Sequence, residues 1–179
     1  SAAQGGGYCV FNDAAVAARW AQRQRGVDEV LVIDLDVHQG NGTAHIFLDE
    51  PRVFTFSMHG ERNYPLRKEQ SDLDIGLPDG LTDGPYLKIL QETLPRLFDE
   101  QQPDFVFYQS GVDILESDKL GRLSISRTGC RERDRFVLSL CRQYAIPVAV
   151  SMGGGYSPRI ADIVEAHANT FRMAQEVFF

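Results

Sequence analysis

The sequence predicts an α/β domain, a parallel sheet carrying helices on both faces in a three-layer arrangement. Three observations carry that expectation. Apolar segments of strand length alternate with segments of helical periodicity along the chain. The strand segments, "EVLVIDLDV" first among them, are continuously apolar, as strands buried on both sides are. The unusual polar residues fall directly after strands, where open α/β sheets form their ligand crevice.

Each element follows in order. Asn12 and Asp13 cap a helix through "AAVAARWAQRQR", which Gly26 stops. "EVLVIDLDV" is a buried strand, and Gly40 and Gly42 predict a tight turn in which Asn41 is suited to left-handed geometry. A short helix covers about 43–48, and "RVFTFSM" is the next strand. "LTDGPYLKILQETLPRLFDEQQ" reads as a helix with Pro85 near its start and Pro95 expected to kink or split it. "DFVFYQS" is a strand, "SRTGCRERDRFVLSLCRQYA" a helix capped by Ser126, and "IPVAVSM" the last strand. Ser157-Pro158 opens a final helix with Ile160, Ile163, Val164, His167, Phe171 and Ala174 on one apolar face.

At 179 residues the chain fits one domain, 1–179, with a sizeable core. Its net charge of −7 is interspersed, with no basic stripe. This argues against nucleic acid or a membrane surface as a direct partner. No apolar run approaches the ~20 residues of a membrane span. The glycine-rich start lacks the features of a signal peptide. Cys9, Cys130 and Cys141 show no CxxC spacing and suit free thiols in a reducing, cytoplasmic setting, with the nucleus as the eukaryotic variant. They read as small buried hydrophobes, with Cys9 alone near the crevice. There is no initiator Met, so the chain reads as a fragment. The sequence says nothing of oligomeric state.

"DLDVHQGNG", residues 34–42, holds the chemistry. In extended backbone Asp34, Asp36 and His38 face one way. Adjacent buried carboxylates are costly, so a cation is expected beside them. Asp36, His38 and Asp113 make a set of two carboxylates and one imidazole, which leaves an open position as catalytic metal sites do. Any one of them alone reads equally well as loop solvation or a helix cap. Asp34 lies one pleat deeper. It orients a neighbouring histidine, binds a monovalent cation with Ser57 and backbone carbonyls, or is simply a buried acceptor of backbone hydrogen bonds.

"GGGY" at 153–156 is no phosphate-loop pattern. Its glycines let the backbone pass close to a ligand and aim Tyr156 into the crevice, where a hydroxyl can donate to a developing oxyanion. The alternative for Tyr156 is an aromatic helix staple. His59 suits a supporting role, and His45 and His167 read as packed or half-exposed. Exits after the strands, at Asp36 and His38, Ser57 and His59, Asp113, and Tyr156, are expected to converge on one site.

These residues resemble a known family. "GGGYCVFNDAAVAA", "DLDVHQGNGTAHIF", "SGVDILESDKLGRLSIS" and "GGGY" occur in the order and spacing of the zinc-dependent histone deacetylases. "DLDVHQGNG", "GVDILESDKLGRLSIS" and "MGGGY" are most similar to the class IV, histone-deacetylase-eleven-like branch. The resemblance covers essentially the whole chain. It implies the arginase–deacetylase fold, one zinc ion, and hydrolysis of N-acetyl-lysine in histones or other proteins, or of a related acylated amine. By the same resemblance, Asp36, His38 and Asp113 match the zinc ligands, and Tyr156 the tyrosine that polarises the scissile carbonyl. Gly7 and Tyr8 match the pair lining the acyl-lysine channel, with Tyr64 on the opposite wall and Gly154 bordering the same channel. "RNYPLRKEQ" around Tyr64 departs from the usual aromatic-Pro-Gly. Asp34 and Ser57 match a potassium or sodium site, and Asn41 stands where some members carry Asp. The family's adjacent His-His pair, its general base and electrostatic partner, has no counterpart among the seven residues before Tyr8. The resemblance therefore implies the C-terminal major part of one deacetylase-like domain, inactive alone if that pair lies upstream. Two rivals stand beside it: an arginase-like ureohydrolase with two manganese ions, and a deacetylase-like binding module without catalysis.

Overall fold

β1 (Val30–Asp34), β2 (Val53–Gly60), β3 (Leu73–Leu77), β4 (Phe105–Ser110) and β5 (Val148–Met152) form one sheet in the order β3-β2-β1-β4-β5, and every neighbouring pair runs parallel. The computed structural model describes residues 3–179. Ser1, where the sequence suggests an upstream continuation, lies outside the described residues.

β1, β2 and β4 are buried on both sides, so their alternate residues feed two cores. Leu31, Ile33, Phe56, Met58, Val106 and Tyr108 pack toward α3 (Asp83–Gln101) and α4 (Arg127–Gln143). Val30, Val32, Val53 and Phe107 pack on the other face with Ala15 and Ala18 of α1 (Asp13–Gln24) and Phe47 of α2 (Asn41–Phe47). Burying each such aliphatic or aromatic side chain contributes about 1.5–3 kcal/mol. α5 (Ile160–Phe178) completes the three layers, meeting α4 through Leu138, Met173 and Val177. Two helix starts follow their capping signals, whereas α5 begins at Ile160 behind Arg159 and not at Ser157-Pro158. The side chains of Asn12 and Ser126 accept from the N–H groups of Ala15 and Gly129, at 2.8 and 3.0 Å. Gly26 turns α1 off in left-handed geometry.

Several local expectations differ from the structure. β1 ends at Asp34, so residues 36–38 bend instead of continuing the strand. Asn41 begins α2 with ordinary negative φ, because Gly40 takes up the turn. Pro95 does not split α3: Leu90, Leu94, Leu97 and Phe98 are buried on either side of it, and Gln91, whose carbonyl loses its partner, is exposed to water. β3 is an addition the sequence reading missed. Its alternation of Leu73, Ile75 and Leu77 with Asp74 and Gly76 is the signature of an edge strand. The apolar face expected on α5 is met only in part: Ile163 and Ala174 pack inward and His167 is half-buried. Ile160, Val164 and Phe171 are exposed, while Ala166, Thr170, Met173 and Val177 are buried. The helix is apolar on more than one side, and packing against α4 selects the side with small residues. The neighbouring edge strand β5 also exposes Val150 and Met152.

Candidate metal centre

Where β1 ends, short hydrogen bonds curl the chain. Asp34 Oδ1 accepts the N–H of Asp36 at 3.1 Å, and Asp36 Oδ1 accepts the N–H of His38 at 2.9 Å. Asp36 and His38 are thereby brought to one place by a bend rather than by strand alternation. From the exit of β4, Asp113 Oδ1 accepts the N–H of Val37 at 2.9 Å. His38 Nδ1 lies 3.0 Å from both Asp36 Oδ1 and Asp113 Oδ2. One ligand atom from each of the three residues lies within 4.8 Å of the others. Two buried carboxylates and an imidazole nitrogen, converging from separate strand exits, are a donor set suited to a divalent cation.

The electrostatics agree. Burial works to raise the Asp36 pKa, but hydrogen bonds from His38 and from the N–H of Gly154 outweigh it and hold the group below its ordinary value. Burial also raises Asp113, and repulsion from Asp36 adds to it; against the opposing His38 hydrogen bond it is pushed up to about 7. Burial pulls His38 down, yet hydrogen bonds to Asp113 and Asp36 raise it to about 10. Asp34 is raised well above the carboxylate range by burial and by Asp36.

A third strand exit closes the site. Gly154, after β5, donates its N–H to Asp36 Oδ2 at 2.7 Å and accepts from the N–H of Val112 at 2.7 Å. A Cβ on Gly154 would lie 1.9 Å from Asp113 Oδ2, and one on Gly111 would lie 2.3 Å from Asp36 Oδ2. Only glycine lets these two backbones come so close to the Asp113 and Asp36 carboxylates. The next turn carries Tyr156, whose N–H donates to Asp118 Oδ2 at 2.6 Å, while Asp118 Oδ1 accepts from Leu120 and Gly121. Burial, followed by Asp113 and Asp36, raises the Tyr156 phenol above its ordinary value, so it stays a proton donor.

Above the three donors opens a cleft of about 840 Å³. The ring of Tyr156 lies 6.4 Å from that of His38, Tyr64 lies 6.5 Å from His38, and Tyr8 lies 6.2 Å from Tyr156. Tyr8 is 88% exposed and Tyr64 51%. Gly7 and Tyr8 both adopt left-handed backbone in the rim. Asp34, Asn41 and Gly154 also line the cleft. Ser57 pairs across the sheet with Asp34, but its Oγ lies 2.9 Å from Nδ1 of buried His59, which makes a partner of the histidine the sequence left in a supporting role. His45 is exposed and His167 half-buried; neither joins the donor group. Cys130 and Cys141 are buried thiols that burial pushes up to about 12, whereas Cys9 is exposed on the cleft rim. Sequence reasoning missed Gly111, Asp118 and the role of Gly154 against the carboxylates. Their only signals are the "SGVD" and "SMGGGY" turns and the carboxylate of "ESDK".

The histone deacetylase domain family matches residues 1–171. The chain is 49% identical over 174 residues to an uncharacterised protein of Picosynechococcus sp., covering 97% of this chain and 58% of that one. It is 34% identical to Histone deacetylase 2 of Arabidopsis thaliana over 92% of this chain and 43% of that protein. Its fold is similar to that of an acetylpolyamine aminohydrolase from Burkholderia pseudomallei, with a TM-score of 0.81 and 24% identity over 97% of this chain and 52% of that one. The chain spans about half the length of the curated relatives it matches. On a match that runs through all five strands and all three donors, this chain belongs to the histone deacetylase family of the arginase/deacetylase superfamily.

Proposed function

We propose that the parent protein is a zinc-dependent deacylase that hydrolyses the acyl-amide bond of N-acetyl-lysine in a protein, or of a related acylated amine. The observation that carries the reading is the convergence of Asp36, His38 and Asp113 beneath a cleft ringed by Tyr8, Tyr64 and Tyr156. A single zinc ion held there would polarise the acyl carbonyl and lower the pKa of a water toward ~7. Tyr156, kept protonated, donates to the oxygen on which negative charge develops. Asp118 fixes the backbone that aims Tyr156. Tyr8 and Tyr64 flank the substrate's alkyl chain with apolar ring faces. Asp34 anchors the Asp36 loop and, facing Ser57 across the sheet, forms a candidate site for potassium or sodium. Three free cysteines favour a reducing, cytoplasmic location.

The 179 residues form the C-terminal major part of one domain in this reading. Relatives about twice as long and an open, apolar β5 edge support it. An upstream segment of about 100 residues supplies the general base as an adjacent histidine pair and covers that edge. In the intact protein, Tyr156→Phe should lose ~10²–10³ in turnover on an acetyl-lysine peptide while keeping its zinc. Unchanged turnover refutes the assignment. A metal count of two manganese ions per chain would favour a ureohydrolase, and full metal loading without hydrolysis a binding module.

A further inference from the structure

Beneath the donor trio lies a charge that the deacylase reading does not use. Arg133 of α4 is the largest fully buried side chain among the described residues. Its Nε donates to Asp134 Oδ1 at 2.9 Å, and a terminal nitrogen lies 2.8 Å from the same oxygen. A buried ion pair of this kind is no aid to stability over apolar residues of equal volume, which often match or exceed it.

The other terminal nitrogen reaches two backbone carbonyls, Gly111 O at 2.5 Å and Leu35 O at 3.3 Å. Leu35 immediately precedes Asp36, and Gly111 stands two residues before Asp113. The β1–β4 ladder runs to the pair Asp34 and Gln109, with Leu35 N–H adding one last bond to Gln109 O. Beyond that point the two chains part to carry their ligands, and Arg133 spans the gap. The guanidinium is itself fixed. Asp134 accepts from Tyr108 of β4 at 2.5 Å and from Thr170 of α5 at 2.7 Å. A planar fork held from three elements defines the distance between two carbonyls better than a flexible ammonium could.

Resting on the metal-site reading above, we infer that Arg133 is a positioning residue: by bridging the Leu35 and Gly111 carbonyls it sets the spacing of Asp36 and Asp113, and with it the metal affinity. Asp134, Tyr108 and Thr170 act through Arg133 as its clamp.

The test compares the intact protein with R133K and with the double variant R133M/D134L, which removes both buried charges and so leaves none unpaired. Zinc affinity is read by competition against a chromogenic chelator, ligand geometry by the visible spectrum of the cobalt(II) form, and folding by thermal melting. The double variant should fold but melt lower than the unaltered protein, because the Tyr108 and Thr170 hydroxyls and the two carbonyls lose their partners, bind zinc ~10–100-fold more weakly, and show altered cobalt bands. R133K should fall between the two, and Thr170→Val should move affinity in the same direction by less. Leu138→Ala, in the α4–α5 contact, should lower the melting temperature and leave affinity unchanged. A folded double variant with the original affinity and cobalt spectrum overturns the inference. Failure of all the Arg133 and Thr170 variants to fold assigns the network to stability alone and overturns it too. Absence of metal binding by the unaltered protein would instead defeat the metal-site reading.

Discussion

Gly154→Ala tests how tightly the three strand exits are drawn together. The added Cβ would stand 1.9 Å from Asp113 Oδ2, 2.6 Å from its Cγ and 3.0 Å from Tyr156 Cε2. Ordinary van der Waals contact begins at 3.4 Å, so relief of the first overlap alone needs 3.4 − 1.9 = 1.5 Å of movement. Metal–donor distances hold to about ±0.2 Å, so this movement takes Asp113 out of coordination range. Gly154 cannot yield instead without cost, because its N–H and C=O are bound to Asp36 and to Val112. Overpacking of this kind destabilises a fold by about 1–3 kcal/mol, a loss that a domain of this size can survive. Zinc affinity should therefore fall by more than the ~10–100-fold typical of a lost supporting contact. Chelator competition measures the affinity and circular dichroism the melting temperature. Gly84→Ala, in the first turn of α3 where the new Cβ meets nothing within 4 Å, is the control: it should leave zinc affinity unchanged and hold or slightly raise the melting temperature. A Gly154→Ala protein that binds zinc as tightly as the original would show that the approach of Gly154 to the Asp113 carboxylate does not define the site.

Further outcomes follow from the same geometry. Asp113→Ala should lower zinc affinity much more than Asp34→Ala, which should still cost ~10–100-fold because Asp34 holds the Asp36 N–H; equal, negligible effects would remove both from the site. Zinc affinity should rise with pH, by about tenfold per pH unit for each proton displaced, steeply below about 7 while Asp113 is protonated and less so up to about 10 as His38 gives up its proton. Both folded-state values are raised, so their contribution to the metal-free protein is full at low pH. It is lost as pH rises, for Asp113 from 3.8 to about 7 and for His38 from 6.5 to about 10. Thermal melts across that range with and without zinc check the sign, and a pH-independent affinity would refute it. Asp118→Ala frees the Tyr156 N–H and should cut turnover by up to ~10²-fold with zinc affinity unchanged, measured by steady-state hydrolysis beside chelator competition.

Much of this protein was legible in its amino-acid order. Continuous apolar runs specify strands buried on both faces, Asn12 and Ser126 announce their helices, and the types and order of Asp36, His38, Asp113 and Tyr156 point to a cation and an oxyanion donor. Such features are local: hydrophobic periodicity, capping and side-chain chemistry act within a few residues. Tertiary structure alone decided the rest. Asp36 and His38 meet through a bend pinned by Asp34 and Asp113, not through the strand alternation that the spacing suggests. The face that α5 buries is chosen by α4, since both sides of the helix are apolar enough to serve. Gly111, Gly154 and Arg133 owe their roles to distances between segments far apart in sequence. The chain order lists the groups that can bind a metal, but only the packing of helices on the sheet fixes the few ångströms between them.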